Sequence, residues 1–198
     1  MDKKLLREYI KSQRDLLSVA DRLYFSNIIM EKLVSLQSFK EANSIMCFAS
    51  FGSEVNTFPV LKKIISDGKT LILPKVEKVN GYKVLETYKI NDLEGQLTKG
   101  VFGIMEPDPQ KCEIAHISEA ELILCPGVVF DHKCNRIGYG GGFYDKLFSS
   151  TKTSFLKVGI AFDLQIIESI ETDFFDIPMD KVITEKREFI NIDEGESM

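Results

Sequence analysis

Residues 122–145 constrain the fold more than any other part of the chain. They begin with a short apolar run, Leu122–Cys125, whose length and composition predict a buried strand. Pro126 and Gly127 then predict a turn. Four of the five residues 138–142 are glycine, and the residues after them predict the opening of a helix. The stretch therefore predicts a strand, a glycine-rich loop and a helix in succession.

The glycine-rich loop is a candidate phosphate site. Glycine at this density costs backbone entropy, and the missing Cβ atoms let several N–H groups approach a polyanion beside the positive end of a helix. Arg136 and Lys146 bracket the loop as mobile cations, and Asp145 offers a hard oxygen ligand for Mg²⁺. The alternative is a tight corner whose glycines only provide room, but the combination of these residues favours the phosphate site.

Two familiar phosphate motifs do not match this loop. Its Gly-Tyr-Gly-Gly-Gly-Phe lacks the last glycine of Gly-x-Gly-x-x-Gly, and no acidic ribose ligand is assigned downstream. No Gly-Lys-Ser/Thr follows it, which excludes a P-loop.

Composition limits the partners of the chain. The 198 residues fit one domain, 1–198, and 25 Lys and Arg against 30 Asp and Glu leave a net charge of −5. No broad basic surface for nucleic acid is expected. The N-terminus has no apolar signal core and no run reaches membrane-spanning length, so we expect a cytoplasmic monomer without a membrane partner. We expect free thiols at all four cysteines, Cys47, Cys112, Cys125 and Cys134.

Apolar spacing predicts alternating helices and strands. Helices are expected at 3–17, 18–36 and 57–67, the last capped by Thr57. The expected strands are 44–49, 70–76, 82–90, 122–125, 157–162, 181–184 and 188–192. Residues 91–117 are rich in turns. This order implies an α/β fold with parallel strand pairs and helices on both faces of the sheet.

Other polar residues could join the site. Lys3, Lys4 and Arg7 form either a cationic face of the first helix or a merely solvated one. In the loop after the first strand, Phe51 could stack on a flat ring, and Glu54 and Asn56 could hydrogen-bond a ligand. The alternative is that these loop residues have no role in binding. A later loop carries three acids, Asp173, Asp176 and Asp180. One of them could bind Mg²⁺ together with Asp145, or all three could simply be solvated. His116 and His132 are expected at the surface.

These residues occur in an order that resembles the 5-formyltetrahydrofolate cyclo-ligase family. Residues 126–131 and 135–145, Pro-Gly-Val-Val-Phe-Asp and Asn-Arg-Ile-Gly-Tyr-Gly-Gly-Gly-Phe-Tyr-Asp, resemble its signature. The flanking similarities are shorter but occur in the family's order: Lys-Lys-Leu-Leu-Arg at 3–7, Ser-Glu-Val-Asn-Thr at 53–57 and Asp-Ile-Pro-Met-Asp-Lys-Val-Ile-Thr at 176–184.

The resemblance implies a three-layer α/β/α sandwich with a mainly parallel central sheet. It also implies ATP- and Mg²⁺-dependent conversion of 5-formyltetrahydrofolate to 5,10-methenyltetrahydrofolate. By the resemblance, the nucleotide site comprises Lys3, Lys4, Arg7, Arg136, Ile137, Gly138, Tyr139, Gly140, Gly141, Gly142, Phe143 and Tyr144. The folate contacts would be Phe51, Glu54, Asn56 and Tyr144. Asp145 and Asp176 would hold Mg²⁺, and the catalytic group would be Arg136, Tyr144 and Asp145.

The chain departs from the family pattern at four positions. Gly141 replaces a lysine found in some members, Phe143 a frequent tyrosine, Asn56 a common acid and Phe175 a common histidine. These departures sustain one alternative, a non-catalytic regulator that binds nucleotide or folate on the same scaffold. A further alternative, a sugar-phosphate isomerase or CoA-transferase, would need Glu54 as its base.

Overall fold

A computed structural model describes residues 2–100 and 103–192 of the chain. Its α-helices are α1 (Lys3–Asp15), α2 (Val19–Ser35), α3 (Gln37–Glu41), α4 (Phe58–Ser66) and α5 (Phe143–Ser149). Its strands are β1 (Ser44–Met46), β2 (Thr70–Val79), β3 (Tyr82–Ile90), β4 (Leu97–Lys99), β5 (Met105–Pro107), β6 (Glu113–Ile114), β7 (Leu122–Cys125), β8 (Val129–Asp131), β9 (Arg136–Ile137), β10 (Leu156–Ile160), β11 (Ile166–Ile167), β12 (Lys181–Ile183) and β13 (Glu188–Ile190).

The main sheet has eight strands in the order β13-β12-β10-β7-β1-β2-β3-β6. Its central strands, from β12 to β2, pair in parallel. The pairs at both edges are antiparallel. A smaller sheet, β11-β8-β9, and the ribbon β4-β5 lie apart from it. Parallel strands need crossover connections, which places their carboxyl ends at one edge of the sheet.

Side-chain alternation divides the core into two layers, as strand geometry requires. Leu71 and Leu73 of β2 pack in one apolar cluster, which includes residues of α2, α3 and α4. The intervening Ile72 packs in a second cluster with Phe148 of α5 and Phe130 of β8. Helical or irregular chain therefore covers both faces, and the predicted three-layer α/β/α sandwich is confirmed. Among the described residues, no helix combines the length and apolar character of a membrane span.

Three local predictions were wrong. The strand at 70–76 continues through Pro74 to Val79, because it pairs with β3 from Leu71 to Val79, while its pairing with β1 ends at Ile72 and leaves Pro74 with one neighbouring strand. The turn-rich segment 91–117 contains β4, β5 and β6. Thr57 stands at the N-cap position of α4, but its side chain makes no capping hydrogen bond, because its hydroxyl oxygen accepts from the Ser50 N–H at 3.0 Å while the hydroxyl donates to the Phe48 carbonyl at 2.7 Å.

The elements that shape the site lie at the carboxyl edge of the sheet. Pro126 follows β7 there, and Phe51 lies in the loop after β1. Helix α1 packs its buried Ile10 against Val128, Val129 and Ile137 of the smaller sheet. This packing fixes the polar face of α1 beside the chain that follows β9, which is the glycine-rich loop.

Candidate active site

A cleft of about 1100 Å³ lies between α1, the glycine-rich loop, α5 and the β2–β3 hairpin. Its wall includes every residue from Arg136 to Lys146. Lys3 and Arg7 reach it from α1, and Phe51 from the loop after β1. The structure thus brings together the predicted cationic face, the glycine-rich loop and one aromatic side chain. The cleft has the size of a site for a small ligand or cofactor.

The glycine-rich loop presents its backbone to the cleft. Gly140 has φ +100° and Gly142 φ +60°, conformations that favour glycine. Within the described residues, no protein acceptor pairs with the N–H groups of residues 138–143. The carbonyl of Gly138 accepts from Arg7 Nε at 2.7 Å, which anchors the loop to α1. Because α5 has only seven residues, its helix dipole is weaker than predicted, which leaves the loop amides as the stronger candidates to bind an anion.

Arg136 is held in place, so the prediction that it is a mobile cation was wrong. Its side chain is 4% exposed, and its Nη2 donates to both carboxylate oxygens of Asp145, at 3.0 and 3.1 Å. Its Nη1 donates to the Pro126 carbonyl at 3.3 Å, while its buried Nε has no partner. The contacts of Nη2 with Asp145 and of Nη1 with Pro126 together hold the guanidinium beside the loop. Lys146, by contrast, is exposed at the cleft wall.

Tyr144 lies beneath this ion pair. The Arg136 guanidinium carbon is 5.4 Å from the Tyr144 ring centroid, within reach of a cation–π contact. The phenol oxygen of Tyr144 is buried and has no hydrogen-bond partner in the described structure. Burial raises the pKa of Tyr144 well above its usual value, so this phenol is neutral. A buried hydroxyl without a partner at a cleft wall has hydrogen-bonding capacity for a ligand.

The predicted magnesium ligands adjoin one another. Asp145 accepts from the N–H of Ile177 at 3.3 Å, and Ile177 directly follows Asp176. Both acids also carry cations: Arg136 on Asp145, and Lys3 on Asp176 at 2.7 Å. No cluster of three or more metal-ligating side chains occurs in residues 2–100 and 103–192. One or two carboxylates, completed by phosphate oxygens and water, suit Mg²⁺, so the residues present fit this ion.

Lys4 and two of the four predicted folate contacts, Glu54 and Asn56, lie outside the cleft wall. Lys4 is exposed on α1. Asn56 accepts from the Phe58 N–H at 3.2 Å and thereby caps the first turn of α4. Glu54 is buried, and its oxygens accept from the Tyr139 hydroxyl and the Phe51 N–H. Only Phe51 of this loop lines the cleft, where its ring is tilted against that of Tyr139.

Sequence reasoning missed two parts of the site. Val76, Lys83 and Leu85 of the β2–β3 hairpin line the cleft opposite the loop, and a strand pattern does not indicate which pocket it borders. Arg14 is buried beneath Tyr139. A signal for Arg14 existed, because it follows Arg7 by seven residues, or two helical turns, and so shares its face of α1.

Comparisons with known proteins agree on one family. The model of the 5-formyltetrahydrofolate cyclo-ligase family matches residues 1–185. A Haemophilus influenzae 5-formyltetrahydrofolate cyclo-ligase is 26% identical over 175 residues, covering 88% of this chain and 92% of the relative. A probable 5-formyltetrahydrofolate cyclo-ligase of Caenorhabditis elegans is 28% identical over 189 residues, 91% of each chain. The solved 5,10-methenyltetrahydrofolate synthetase of Aquifex aeolicus is 33% identical, with a TM-score of 0.84 over 100% of this chain and 96% of that one.

The fold and cleft define an α/β protein whose ligand site lies at the carboxyl edge of a parallel sheet. The family match narrows this class. The chain belongs to the 5-formyltetrahydrofolate cyclo-ligase family, a family of enzymes that act on a folate.

Proposed function

We propose that this enzyme converts 5-formyltetrahydrofolate to 5,10-methenyltetrahydrofolate with consumption of ATP in the presence of Mg²⁺. The observation that carries the proposal is the cleft, where open loop amides and cations face an apolar wall. The loop amides and cations suit the phosphates of a nucleoside triphosphate, and the apolar wall suits a flat folate ring. Family membership supports the reaction class, and the residues of this chain support the ATP and Mg²⁺ requirement.

The nucleotide would bind along the glycine-rich loop. The N–H groups of residues 138–143 can donate to phosphate oxygens, and no Cβ blocks the approach at the glycines. Arg7 and Lys146 supply positive charge on opposite sides of the loop. Arg136 is already oriented by Asp145, so its buried Nε can donate without losing further side-chain entropy. We assign the triphosphate to this end of the cleft.

Asp145 and Asp176 would hold Mg²⁺ together with phosphate oxygens. When bound, the ion neutralises phosphate charge during transfer. Asp145 would share its carboxylate between the ion and Arg136, and Asp176 would exchange Lys3 for the ion. Lys3 would keep its pair with Asp173, at 2.7 Å, on the α1 side of the cleft.

The chemistry requires no nucleophile from the protein. A formyl group on N5 is an amide, whose carbon is a poor electrophile. Its oxygen attacks the γ-phosphorus, the bond to the β-phosphate oxygen breaks, and ADP leaves. N10 then attacks the formyl carbon, the carbon–oxygen bond breaks, orthophosphate leaves, and the N10 proton is released. The protein contributes mainly positioning and charge neutralisation.

The folate ring would stack on Phe51 at the loop end of the cleft. The ring of Tyr139 adjoins Phe51, with centroids 5.5 Å apart, and Val76 and Leu85 face them from the hairpin. Such apolar surfaces accept a flat ring whose polar edge stays exposed to water or to the loop. Asn56 lies outside the cleft wall and its Oδ1 accepts from the Phe58 N–H, so we assign it no ligand contact.

A spectrophotometric assay tests the proposal. Purified protein is mixed with 5-formyltetrahydrofolate and MgATP, with controls that omit each component. We expect the methenyl chromophore to appear only in the complete mixture, with one ADP formed per product. Nucleotide binding without product would instead favour the regulator, and conversion without ATP would contradict the proposed chemistry.

A variant pair ties the activity to the cleft. Arg7→Met removes the cation that anchors the glycine-rich loop, and we expect kcat/KM for MgATP to fall about 100-fold. Lys62→Met removes an exposed cation of α4 outside the cleft and serves as the matched control. Equal activities of the two variants would remove Arg7 from the proposed nucleotide site.

A further inference from the structure

A buried polar cluster lies beneath the glycine-rich loop and centres on Arg14. Arg14 is only 3% exposed. Nε of Arg14 donates to the Ser53 hydroxyl at 3.0 Å, and Nη2 donates to the Tyr139 hydroxyl at 3.2 Å. The Ser53 hydroxyl in turn donates to Asp15, the last residue of α1. Arg14 is not part of the cleft wall, so it acts on the site only through its partners.

The cluster continues to Glu54. The Tyr139 hydroxyl donates to Glu54 Oε1, and Glu54 Oε2 accepts from the Phe51 N–H at 3.0 Å. Burial raises the pKa of Glu54, against the opposing effects of the hydrogen bonds from the Tyr139 hydroxyl and the Phe51 N–H and of the positive charge of Arg14. The chain of contacts therefore runs from α1 through Arg14 and Tyr139 to the loop that carries Phe51.

These contacts join two loops that bind different halves of the proposed ligand set. Tyr139 belongs to the glycine-rich loop, and Phe51 belongs to the loop after β1. Their rings adjoin, with centroids 5.5 Å apart, but both residues are exposed, with relative accessibilities of 41% for Tyr139 and 38% for Phe51, so this ring contact alone holds the two loops only weakly. A buried guanidinium is retained at low energy only when its donors are satisfied, which makes the geometry around Arg14 stiff. The buried cluster around Arg14 therefore determines the distance between the glycine-rich loop and the Phe51 loop.

We propose that Arg14 is a positioning residue that holds Tyr139, and through it Glu54, so that the glycine-rich loop and the Phe51 loop keep the spacing that reaction between nucleotide and folate requires. This proposal rests on the proposed function for its kinetic consequence. Its structural consequence, an ordered loop without ligand, does not depend on that function.

The kinetic test compares three variants of the full-length chain. Arg14→Met removes the charge and the donors, and Tyr139→Phe removes only the hydroxyl that Arg14 and Glu54 share. Arg22→Met, on α2 and outside the cleft wall, is the matched control. We expect kcat/KM for MgATP to fall about 10- to 100-fold in the first two variants, because a displacement of about 1 Å has consequences of this size. The control should stay within about twofold of the parent chain.

A double-mutant cycle separates positioning from a general loss of stability. If Arg14 acts through Tyr139, the double variant Arg14→Met/Tyr139→Phe should lose little more activity than either single variant. Losses that multiply would overturn the proposal. If Arg14→Met fails to fold, Arg14→Lys replaces it in the cycle, since lysine keeps the charge but cannot donate in two fixed directions.

Hydrogen exchange of the ligand-free protein gives the second readout. We expect the amides of Phe51 and Glu54, which donate to Glu54 Oε2 at 3.0 Å and to the Phe51 carbonyl at 3.2 Å, to exchange about tenfold faster in Arg14→Met and in Tyr139→Phe, while those of β2 remain unchanged. Unaltered loop exchange would overturn the proposal even if activity fell. If the parent chain formed no methenyl product, the proposed function would fail, and this exchange experiment would still decide the role of Arg14.

Discussion

Replacing Asp145 by asparagine should destabilise the fold, because it leaves the positive charge of Arg136 buried. Arg136 is 4% and Asp145 18% exposed, and two charge-assisted hydrogen bonds of 3.0 and 3.1 Å join them. Removing one partner of a fully buried pair costs roughly 3–5 kcal/mol. Asp145 retains some solvent contact and Arg136 keeps the Pro126 carbonyl, so we expect about 2–3 kcal/mol.

Thermal unfolding followed by circular dichroism measures this loss. For a chain of this size, 1 kcal/mol shifts the Tm by about 2–4 °C, so Asp145→Asn should lower it by roughly 5–10 °C. Asp67→Asn is the matched control, because Asp67 forms an exposed pair with Lys63 on α4. An exposed pair of this kind contributes about 0.3–0.5 kcal/mol, which corresponds to no more than about 2 °C.

A second substitution distinguishes the buried charge from other causes. In Arg136→Met/Asp145→Asn the unpaired charge is gone, and we expect most of the lost stability to return while turnover stays low. If Asp145→Asn were no less stable than Asp67→Asn, the reasoning from burial would be refuted. A double variant as unstable as the sum of its single variants would refute it as well.

Three further results are expected. Gly140→Val should abolish measurable ATP turnover. Gly81→Val, also at positive φ (+87°) but at the tip of the β2–β3 hairpin, should show only the loss of stability that comes from backbone strain. Activity and Tm measurements on both variants test this difference. Burial acts to raise the pKa of Asp176, but hydrogen bonds from the Asp173 N–H and from Lys3 outweigh it and hold the pKa below its usual value. The stability advantage over Lys3→Met should therefore be present at pH 7, decline below about pH 4 and be lost as the pH falls through the lowered pKa of folded Asp176, as denaturant titrations at several pH values would measure. At pH 8 a thiol reagent should label native Cys112 first, and only unfolding should expose Cys47, Cys125 and Cys134.

Each of these three predictions has a result that would contradict it. Equal activity of the two glycine variants would contradict the role of the loop amides. A stability difference for Lys3→Met that persisted at low pH would mean that its attraction to a carboxylate is not the cause. The thiol result follows from burial, which raises the pKa of Cys125 to about 12 and that of Cys134 to about 11, and rapid native labelling of either would contradict it.

The sequence predicted the sheet because its strands are strongly apolar and separated by helices. The bounds 82–90 agree with β3, and 122–125 with β7. The pattern did not predict where the strand at 70 ends, because pairing with β3 overrides the proline at position 74. Long-range pairing of this kind carries no local signal.

The candidate site was predictable as a set of residues but not as a geometry. The glycine-rich loop, Arg7 and Asp145 were identified, and all line one cleft. The sequence could not show that Arg136 is buried, because arginine is usually exposed and its partner lies on α5. Nor could it show that Asn56 caps a helix and that Glu54 faces Tyr139, since these assignments depend on side-chain direction.

The anchors between α1 and the rest of the site join residues that are far apart in the chain. Arg7 meets Gly138 across 131 positions, and Lys3 meets Asp173 across 170. During synthesis at about 5–20 residues per second, α1 therefore waits on the order of 10–30 s for its partners. Its cations and its apolar face remain uncovered during that time. A ribosome-bound chain that ends before residue 173 lacks the loop that Lys3 contacts, so α1 gains this anchor only after nearly the whole chain has been made.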